Sequence, residues 1–427
     1  MRVWLLQRAE PTPHDDEGSQ RLLRTGTVAS MLAQRGHEVL WWTSTFDHYN
    51  RRHRYENDTR VEVAGAFSIQ YLRGCGYRRN VSLSRLRDNH EVANRFAILA
   101  AGEPSRPDVI LASLPTAELG LQAVRYGRQR DIPVVLDIRD LWPDVFFDVV
   151  PRHLHSIIKM MAVPMRRALR EACKDASAII GLTEAFVEWG VEHAGRERSD
   201  LDRSFPMAYL PSPIQEEDLV GGRAFWNAAN IRRRVDQLVV AFCGNLGRTN
   251  DLVPVLDAAA ILQERRQPVL FVICGDGEMA DELRSRSRHL DNVRFVGWIH
   301  KAQIRALLEI ADIGLAPYID ARNYVSNIPN KPAEYLSAGL PVASSLGRGE
   351  LFHMIENHEC GFSYRGRADV LASSLERLLH EHTTLERWSS NAHHTYRTVL
   401  DGNVVYKQMI DYLQVVADSS GISCTRR

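Results

Sequence analysis

Short apolar runs alternate with helical patterns along nearly the whole chain, and this alternation restricts the fold more than any other feature. The strands predicted in the first half are Val3–Leu6, Glu38–Trp42, Val109–Ala112, Val134–Asp137, Ala178–Leu182 and Ala208–Leu210. Those predicted in the second half are Leu238–Cys243, Val269–Cys274, Val293–Val296, Ile313–Ala316, Val342–Ser344 and Gly361–Ser363. Continuous apolar strands between helices are typical of parallel sheets covered on both faces. The pattern predicts an α/β chain with two doubly wound, Rossmann-like domains that face a cleft.

A chain of 427 residues is too long for a single hydrophobic core, so about two domains are expected. We place an N-terminal domain at residues 1–213 and a C-terminal domain at residues 214–400. Residues 401–427 are predicted to form a helix with a frayed end, because VVYKQMIDYLQVV is amphipathic whereas the polar SSGISCTRR after it is not.

The composition excludes several classes of protein. Lys+Arg and Asp+Glu number 53 each, whereas a nucleic-acid-binding domain is usually basic. No stretch approaches the roughly 18 apolar residues of a membrane span, so we predict a cytoplasmic protein that is neither secreted nor transmembrane. The cysteines form no CxxC pair and are predicted to be reduced core residues: Cys75, Cys173, Cys243, Cys274, Cys360 and Cys424.

A lone carboxylate lies in the sequence NKPAEYLSAGLPV, which has the start and stop signals of a short helix. Asn330 and Pro332 favour its start, and Gly339 favours its end. We therefore predict Glu334 in the first turn. Such a helix N-terminus could hold a phosphate near Lys331 while Glu334 accepts hydrogen bonds from ribose hydroxyls. Alternatively, Glu334 merely complements the helix dipole.

A glycine-flanked loop follows the first strand of the second domain. It contains Gly244, Asn245 and Gly247, and Arg248 follows them. Arginine can pair in bidentate fashion with diphosphate oxygens, and Lys331 would supply a second positive charge. Taken alone, Arg248 would be interpreted as a solvent-facing loop residue. Its place on the same predicted rim as Gly244 and Lys331 favours a diphosphate contact.

The next strand ends in GDGEMA, where Gly275 and Gly277 formally match a dinucleotide-binding pattern. A dinucleotide site needs an acid after the following strand to bind the ribose, and this chain has Gly297 and Trp298 there. A nicotinamide-dependent oxidoreductase is therefore disfavoured and stays an alternative. The glycines still allow a phosphate or sugar close to the backbone, and a plain tight turn is the competing interpretation.

In the first domain, four ionisable groups crowd the end of one predicted strand, in the sequence DIRDLWPD. Asp140 is interpreted as a cleft-facing carboxylate that is catalytic or binds the acceptor. The alternative is structural: Arg139 would pair with Asp137 or Asp140, and Trp142 would belong to the core.

The loop after the first strand, PTPHDDEGSQR, lies where doubly wound domains bind ligands. Gly18 and the helix start that follows it are candidates for contact with a diphosphate. His14, Asp15 and Asp16 lie close together in the sequence, but no spacing typical of a metal site recurs, so we predict no metal.

A long helix is predicted after Pro151, with a kink at Pro164. Its basic residues are Arg152, Lys159, Arg166, Arg167, Arg170 and Lys174, and its apolar residues at helical spacing are Leu154, Ile158, Met161 and Met165. Such a helix can contact anionic lipid. The competing interpretation is an apolar core stripe with a solvated basic face.

Taken together, RGHEV, RDLWPD, FCGNLGR, VICGDGE, VRFVGW and NKPAEYLSAGLPV resemble the retaining glycosyltransferase family 4 of the GT-B superfold, over nearly the whole chain. The resemblance is closest to bacterial members that build surface polysaccharides. It implies a nucleotide-sugar donor held mainly by the C-terminal domain. It further implies a saccharide or polyprenyl-diphosphate-linked acceptor on the N-terminal domain, no metal or other cofactor, and a last helix that returns to the N-terminal domain.

The resemblance also assigns residues. Glu334 matches the ribose-binding second Glu of the family's E-x7-E motif, and Ser326 stands in place of the first. Arg139 stands where many members have a histidine. From the residue patterns and the resemblance together, we predict as catalytic residues Asp140, Arg139, Arg248 and Lys331. We predict as donor-binding residues Gly18, Gly244, Asn245, Gly247, Gly275, Gly277, Trp298, Ser326, Asn330 and Glu334. Because Ser326 replaces a glutamate, a catalytically inert sugar-binding subunit remains a second alternative.

Overall fold

The computed structural model describes residues 1–15, 22–79, 82–150, 153 and 155–424. The chain divides into two compact units. The first unit comprises Met1–Pro206 together with Val405–Arg427, and the second comprises Met207–Val404.

The first unit is built on a mostly parallel sheet. Its strands are β1 (Arg2–Leu6), β2 (Glu38–Ser44), β3 (Phe46–Asp47), β4 (Arg52–His53), β5 (Thr59–Ala64), β6 (Phe67–Leu72), β7 (Val109–Leu114), β8 (Val134–Ile138), β9 (Ala178–Gly181) and β10 (Arg203–Ser204). Within the described residues the main sheet has eight strands in the order β10-β9-β8-β7-β1-β2-β6-β5. Its strands run parallel except β5, which is antiparallel to β6. The short strands β3 and β4 form a separate antiparallel pair.

The helices of the first unit follow the strands as connections. They are α1 (Arg24–Gln34), α2 (Leu83–Ala101), α3 (Ala117–Arg130), α4 (Phe146–Val149), α5 (His155–Met161), α6 (Val163–Asp175) and α7 (Glu184–Ala194). The long helix predicted after Pro151 is two helices, α5 and α6. Pro164 is the second residue of α6, where a missing N–H breaks no helical hydrogen bond.

The second unit has a fully parallel sheet. Its strands are β11 (Leu238–Cys243), β12 (Val269–Cys274), β13 (Val293–Gly297), β14 (Ile313–Ala316), β15 (Val342–Ser344) and β16 (Gly361–Ser363), and the described part orders them β13-β12-β11-β14-β15-β16. Its helices are α8 (Glu216–Ala228), α9 (Val253–Glu264), α10 (Ala280–Arg286), α11 (Lys301–Ile310), α12 (Arg322–Val325), α13 (Asn330–Ser337), α14 (Glu350–His358), α15 (Ala368–Leu378) and α16 (His382–Thr395), followed by a π-helical turn at Tyr396–Leu400. The last helix, α17 (Gly402–Cys424), contributes its residues from Val405 onward to the first unit.

Strand β11 shows why the apolar runs predicted this architecture. Val239 and Ala241 pack into one hydrophobic cluster, whereas Val240 and Phe242 pack into another on the opposite face. All four side chains are fully buried. A strand buried on both faces has to be apolar throughout, so the prediction of a doubly wound α/β fold is confirmed.

Three expectations for local structure were wrong. Residues 208–210 are no strand of the sheet; Tyr209 forms only an isolated bridge with Asp401, and β10 takes the edge position instead. Strands β5 and β6 were both missed: the alternate residues of β5 are exposed, and Ser68 and Gln70 interrupt the apolar residues of β6, so neither has a continuous apolar run. Cys75 is exposed and does not belong to the core.

A buried charge network joins several elements of the first unit. The Asp137 carboxylate at the end of β8 is fully buried, and the Arg24 guanidinium binds it in bidentate fashion at 3.1 and 3.2 Å. Arg24 also donates to the carbonyl oxygens of Phe205 and Pro206 at 2.8 and 3.0 Å. Burial raises the pKa of Asp137, but the guanidiniums of Arg139 and Arg24 outweigh it and hold that pKa below its usual value.

We expect Arg24→Met to lower the free energy of unfolding by about 3–5 kcal/mol, because it removes one of the two guanidiniums that balance a buried carboxylate. Urea unfolding near pH 7 measures the change. Arg125→Met is the matched control, since it removes an exposed pair with Glu171 and should cost less than about 1 kcal/mol. Equal losses in the two variants would show that Arg139 alone neutralises Asp137.

Candidate functional site

In the second unit, the loops that follow β11 and β12 are hydrogen-bonded to each other. The Leu246 N–H donates to the Asp276 carbonyl at 2.9 Å, and the Met279 N–H donates to the Leu246 carbonyl at 2.9 Å. Both loops leave the carboxyl ends of adjacent parallel strands, where doubly wound domains bind ligands. The two predicted glycine loops therefore form one surface.

Glycine is required where these loops approach each other. A Cβ on Gly275 would lie 1.8 Å from the Gly244 carbonyl oxygen, and its φ of +125° disfavours other residues. A Cβ on Gly277 would lie 2.5 Å from Oδ1 of Asn245. On Gly247 it would lie 2.8 Å from Nδ2 of Asn245. These contacts bring five of the predicted donor-binding residues together.

Lys331 extends over the same backbone. A Cβ on Gly244 would lie 2.1 Å from Cε of Lys331, so the glycine makes room for the lysine chain. The Lys331 ammonium lies 5.4 Å from the ring centre of Phe242 and 5.5 Å from that of Tyr318. It makes no ion pair with a carboxylate in the described part of the chain. Burial lowers the pKa of Lys331, although Glu334 opposes that change.

Glu334 lies in the second turn of α13, not in the first. Pro329 occupies the N-cap position and Asn330 is the first helical residue, so the helix begins earlier than the start signals suggested and Glu334 is its fifth residue. Glu334 and Lys331 are three residues apart and share a helix face. The Tyr209 hydroxyl donates to Oε1 of Glu334 at 3.1 Å, which holds the carboxylate in place.

The remaining donor-side candidates lie around this surface. Ser326 caps the short helix α12 and is half-buried, and Asn330 is exposed at the start of α13. Val325, the residue before Ser326, packs against Gly349 at the start of α14, where a Cβ on the glycine would lie 2.1 Å from the Val325 carbonyl oxygen. The Gly297 carbonyl accepts a hydrogen bond from the Gly275 N–H at 2.7 Å. The next residue, Trp298, has a side chain that is 78% exposed.

Arg248 is set apart from Lys331. Its side chain is 81% exposed, and its Nε lies 3.6 Å from Oε1 of Glu278. This is the solvent-facing position that the loop sequence alone favoured. An exposed arginine has the reach to turn toward a bound anion, but no described contact holds it there.

In the first unit, Asp140 lies two residues after the end of β8 and is largely shielded from water. Burial raises its pKa to about 6. Its Oδ1 has no hydrogen-bond partner among the residues the structure describes. The neighbouring Trp142 is half-buried, and the Arg85 guanidinium lies 4.4 Å from its ring centre. A carboxyl group with a pKa near neutrality can accept or donate a proton.

Arg139 has a structural role in this geometry. Its Nε donates to Asp137 at 2.6 Å, and its Nη1 contacts Glu10. Glu10 in turn accepts the Thr25 N–H at 2.9 Å. Arg139 therefore pairs with Asp137 and not with Asp140, and the sequence alone could not choose between these partners.

Gly18 and Asp16 lie outside the described residues. Within residues 1–15, 22–79, 82–150, 153 and 155–424, no group of three or more His, Cys, Asp or Glu side chains is arranged to hold a metal ion. The described helices include none long and apolar enough to cross a membrane.

A basic groove of about 710 Å³ runs along α6 in the first unit. Its lining residues are Lys159, Val163, Arg166, Arg167, Arg170, Glu171, Lys174, His193 and Ala194. Met160 and Val163 are exposed beside it, 69% and 56% respectively. Met161 is also exposed, which contradicts the core-stripe interpretation at that residue, whereas Met165 is buried as that interpretation expects.

Some residues of the site had no signal in the sequence. Phe242 lies under Lys331, and Tyr209 holds Glu334, although both read as ordinary apolar strand or loop residues. Only the tertiary contacts identify them, because neither lies near its partner in the sequence.

Comparison with known proteins gives two family matches, one for each half of the chain. A family model described as Glycosyltransferase Family 4 matches residues 24–202. A model described as Glycosyl transferases group 1 matches residues 227–395. No curated protein matches the chain.

Several solved structures share the fold over the full length. Sucrose-phosphate synthase from Thermosynechococcus elongatus has a TM-score of 0.70 at 15% identity, covering 98% of this chain and 99% of its own. HepE from Anabaena in complex with UDP has a TM-score of 0.63 at 17% identity, covering 97% and 100%. WaaG, a glycosyltransferase involved in lipopolysaccharide biosynthesis, has a TM-score of 0.62 at 17% identity, covering 97% and 99%. At these identities the likeness shows the fold.

Proposed function

We infer that this chain is a GT-B glycosyltransferase that transfers a sugar from a nucleotide-diphosphate donor to an acceptor with retention of configuration. One observation carries the donor assignment. The Lys331 ammonium is held between two aromatic rings above a glycine loop, with no carboxylate paired to it in the described residues. A diphosphate would supply the missing negative charge. The similar structures of HepE with UDP and with UDP-glucose support a nucleotide-sugar donor.

The donor would bind along the surface formed by the two glycine loops and α13. Glu334, fixed by Tyr209, would accept hydrogen bonds from the ribose hydroxyls. The diphosphate would lie over Gly244 and Gly275, against Lys331, with Arg248 closing on it from solvent. Trp298, Ser326 and Asn330 would contact the sugar or base at the edge of this surface.

In the transfer itself, the bond between the sugar C1 and the diphosphate oxygen breaks while the acceptor oxygen bonds to C1 on the same face. The acceptor proton would pass to the departing phosphate oxygen, so no strong protein base is required. Lys331 would stabilise the negative charge that builds on the diphosphate. Asp140 would bind the acceptor hydroxyl and serve as the second candidate for the base.

We further propose that the transfer needs no metal ion or other cofactor, because lysine, arginine and backbone N–H groups can neutralise the leaving diphosphate. The donor sugar would be a hexose. The acceptor would be a saccharide or a polyprenyl-diphosphate-linked glycan in bacterial surface polysaccharide or glycolipid assembly. The likeness to WaaG supports this assignment. Residues 159–174 would hold the enzyme at the inner face of the membrane.

Thermal-shift screening of the purified chain against a panel of nucleotide sugars tests the donor assignment, because a ligand that binds only the native state raises its stability. Transfer or donor hydrolysis would then contradict an inert sugar-binding subunit. Saturable binding of a nicotinamide cofactor, followed by its absorbance, would instead favour an oxidoreductase at Gly275 and Gly277.

Glu334→Gln should weaken binding of the donor nucleotide by roughly 1.5–3 kcal/mol and leave the fold intact, because an amide replaces an acceptor of two hydroxyl protons. Calorimetric titration measures the change. Glu356→Gln, the same substitution at an exposed site on α14, is the matched control. Unchanged affinity in Glu334→Gln would remove this residue from the ribose site.

Lys331→Ala should lower kcat by about a hundredfold while nucleoside binding changes little, because its charge opposes charge that develops on the leaving group. Arg248→Ala should have a smaller effect in the same direction, since its side chain is exposed. The double variant should be nearly inactive, and steady-state kinetics compare all three with the exposed control Lys301→Ala. Near wild-type turnover in the double variant would place the diphosphate clamp elsewhere.

The chain should sediment with anionic vesicles at low salt and be released at high salt, because each basic residue near an anionic surface contributes about 1 kcal/mol. Arg166→Glu with Arg167→Glu should abolish sedimentation. Arg286→Glu with Arg288→Glu makes the same charge change on an exposed part of the second unit and should leave it unchanged. If both pairs behave like wild type, the groove does not contact the membrane and a soluble acceptor is favoured.

A further inference from the structure

Three arginines of the first unit converge on one buried tyrosine. The guanidinium carbons of Arg8, Arg51 and Arg85 lie 5.5, 5.4 and 5.4 Å from the ring centre of Tyr77. The Tyr77 hydroxyl lies 2.6 Å from Nδ1 of His48. We call these five residues the Tyr77 cluster.

The cluster is more than a packing contact. One arginine over an aromatic ring is a common stabilising arrangement, but three around the same ring repel one another. Arg8 is fixed in place because it is buried and bound by Asp88 and Asn89. Arg85 is packed against Trp142 as well as Tyr77. Arg8 and Arg85 are therefore both held beside the Tyr77 ring, and the Arg8 guanidinium is also paired with Asp88.

The arginine charges of the cluster also act on His48. Burial first, and then the charges of Arg85, Arg51 and Arg8, lower its pKa to about 4, whereas Asp47 acts in the opposite direction. The same surroundings lower the pKa of Arg85, chiefly by burial and then through Arg8 and Arg51. The geometry thus creates a positive site in which the histidine itself stays neutral.

The position in the fold indicates a ligand. Arg8 follows the carboxyl end of β1 and Tyr77 follows that of β6, at the edge where doubly wound sheets bind their ligands. Arg85 is the third residue of the 19-residue helix α2, whose N-terminus adds partial positive charge. Through Trp142, Arg85 also reaches the segment that contains Asp140.

We propose that the Tyr77 cluster binds a phosphoryl group of the sugar acceptor. Guanidiniums from three separate elements suit a group with three or more acceptor oxygens better than a planar carboxylate with two. The acceptor hydroxyl would then lie toward Asp140, beyond Trp142. The assignment of this phosphoryl group to the sugar acceptor rests on the proposed transferase function, whereas the phosphate site itself does not.

Inorganic phosphate is the probe. The parent protein is the full chain with Lys331→Ala and Arg248→Ala, so that the two cations proposed to bind the donor diphosphate do not contribute. Calorimetry should show saturable binding that Arg85→Gln and Arg51→Gln each weaken at least about fivefold. Arg51 is exposed, so its variant tests the site without risk to the fold. Arg87→Gln, an exposed position two residues along α2, should bind like the parent.

The His48 resonance gives a second readout, assigned by its loss in His48→Gln. Phosphate should raise the pKa of His48 by roughly one unit, as a nearby opposite charge does. Equal phosphate affinity in the parent, Arg51→Gln and Arg85→Gln would overturn the proposal, as would an unmoved His48 pKa. Acetate binding as tight as phosphate would also overturn it, in favour of a carboxylate.

Two further measurements are needed. One distinguishes a lipid-linked from a soluble phosphoryl group, and the other distinguishes failure of the phosphate site from failure of the transferase proposal. Binding to phosphatidylcholine vesicles that carry polyprenyl phosphate, lost in Arg85→Gln, would assign a lipid-linked acceptor, and binding of glucose 6-phosphate alone would assign a soluble one. Donor binding is measured on the wild type and on Arg51→Gln. If the wild type binds phosphate at the cluster but binds no nucleotide sugar, the transferase proposal is contradicted and the phosphate site is still supported.

Discussion

The parallel sheets of both units need apolar cover on both faces, and this requirement decides where the polar chemistry lies. Along β11, alternate residues enter two separate hydrophobic clusters, so no side chain of the strand interior remains for a ligand. Functional groups are then confined to the loops beyond the strand ends. Lys331, Asp140 and Tyr77 all lie in such loops or in the helices that begin there.

In the second unit, the absence of side chains matters as much as their presence. Gly275 approaches the Gly244 carbonyl so closely that any Cβ would collide, and Gly244 in turn leaves space for the chain of Lys331. The loops can therefore bring a buried ammonium close to the loop backbone at Gly244. The two aromatic rings stabilise the ammonium, so a bound diphosphate would have no ion-paired carboxylate to displace among the described residues.

The sequence predicted the architecture well because apolar runs and glycine stops are local signals. It also identified the strand-end residues, since parallel strands end at one edge. It failed where the outcome depends on tertiary contacts. Pro329 takes the N-cap and moves Glu334 into the second turn, and Tyr209 orients that carboxylate from far along the chain. The choice of Arg139 between Asp137 and Asp140 depends on Arg24 and Glu10, which no local pattern links to it.

The arginines of the first unit show how burial and partners decide the role of one residue type. Arg24 and Arg139 share the carboxylates of Asp137 and Glu10, so their charges are balanced and hold β8 to its neighbours. In the Tyr77 cluster, Asp88 pairs with Arg8, but Arg8, Arg51 and Arg85 all lie near the Tyr77 ring and, after burial, contribute to the lowered pKa of His48. A balanced network gains nothing from an added anion, whereas a site of positive potential does. The first arrangement therefore stabilises the fold, and the second is suited to a charged ligand.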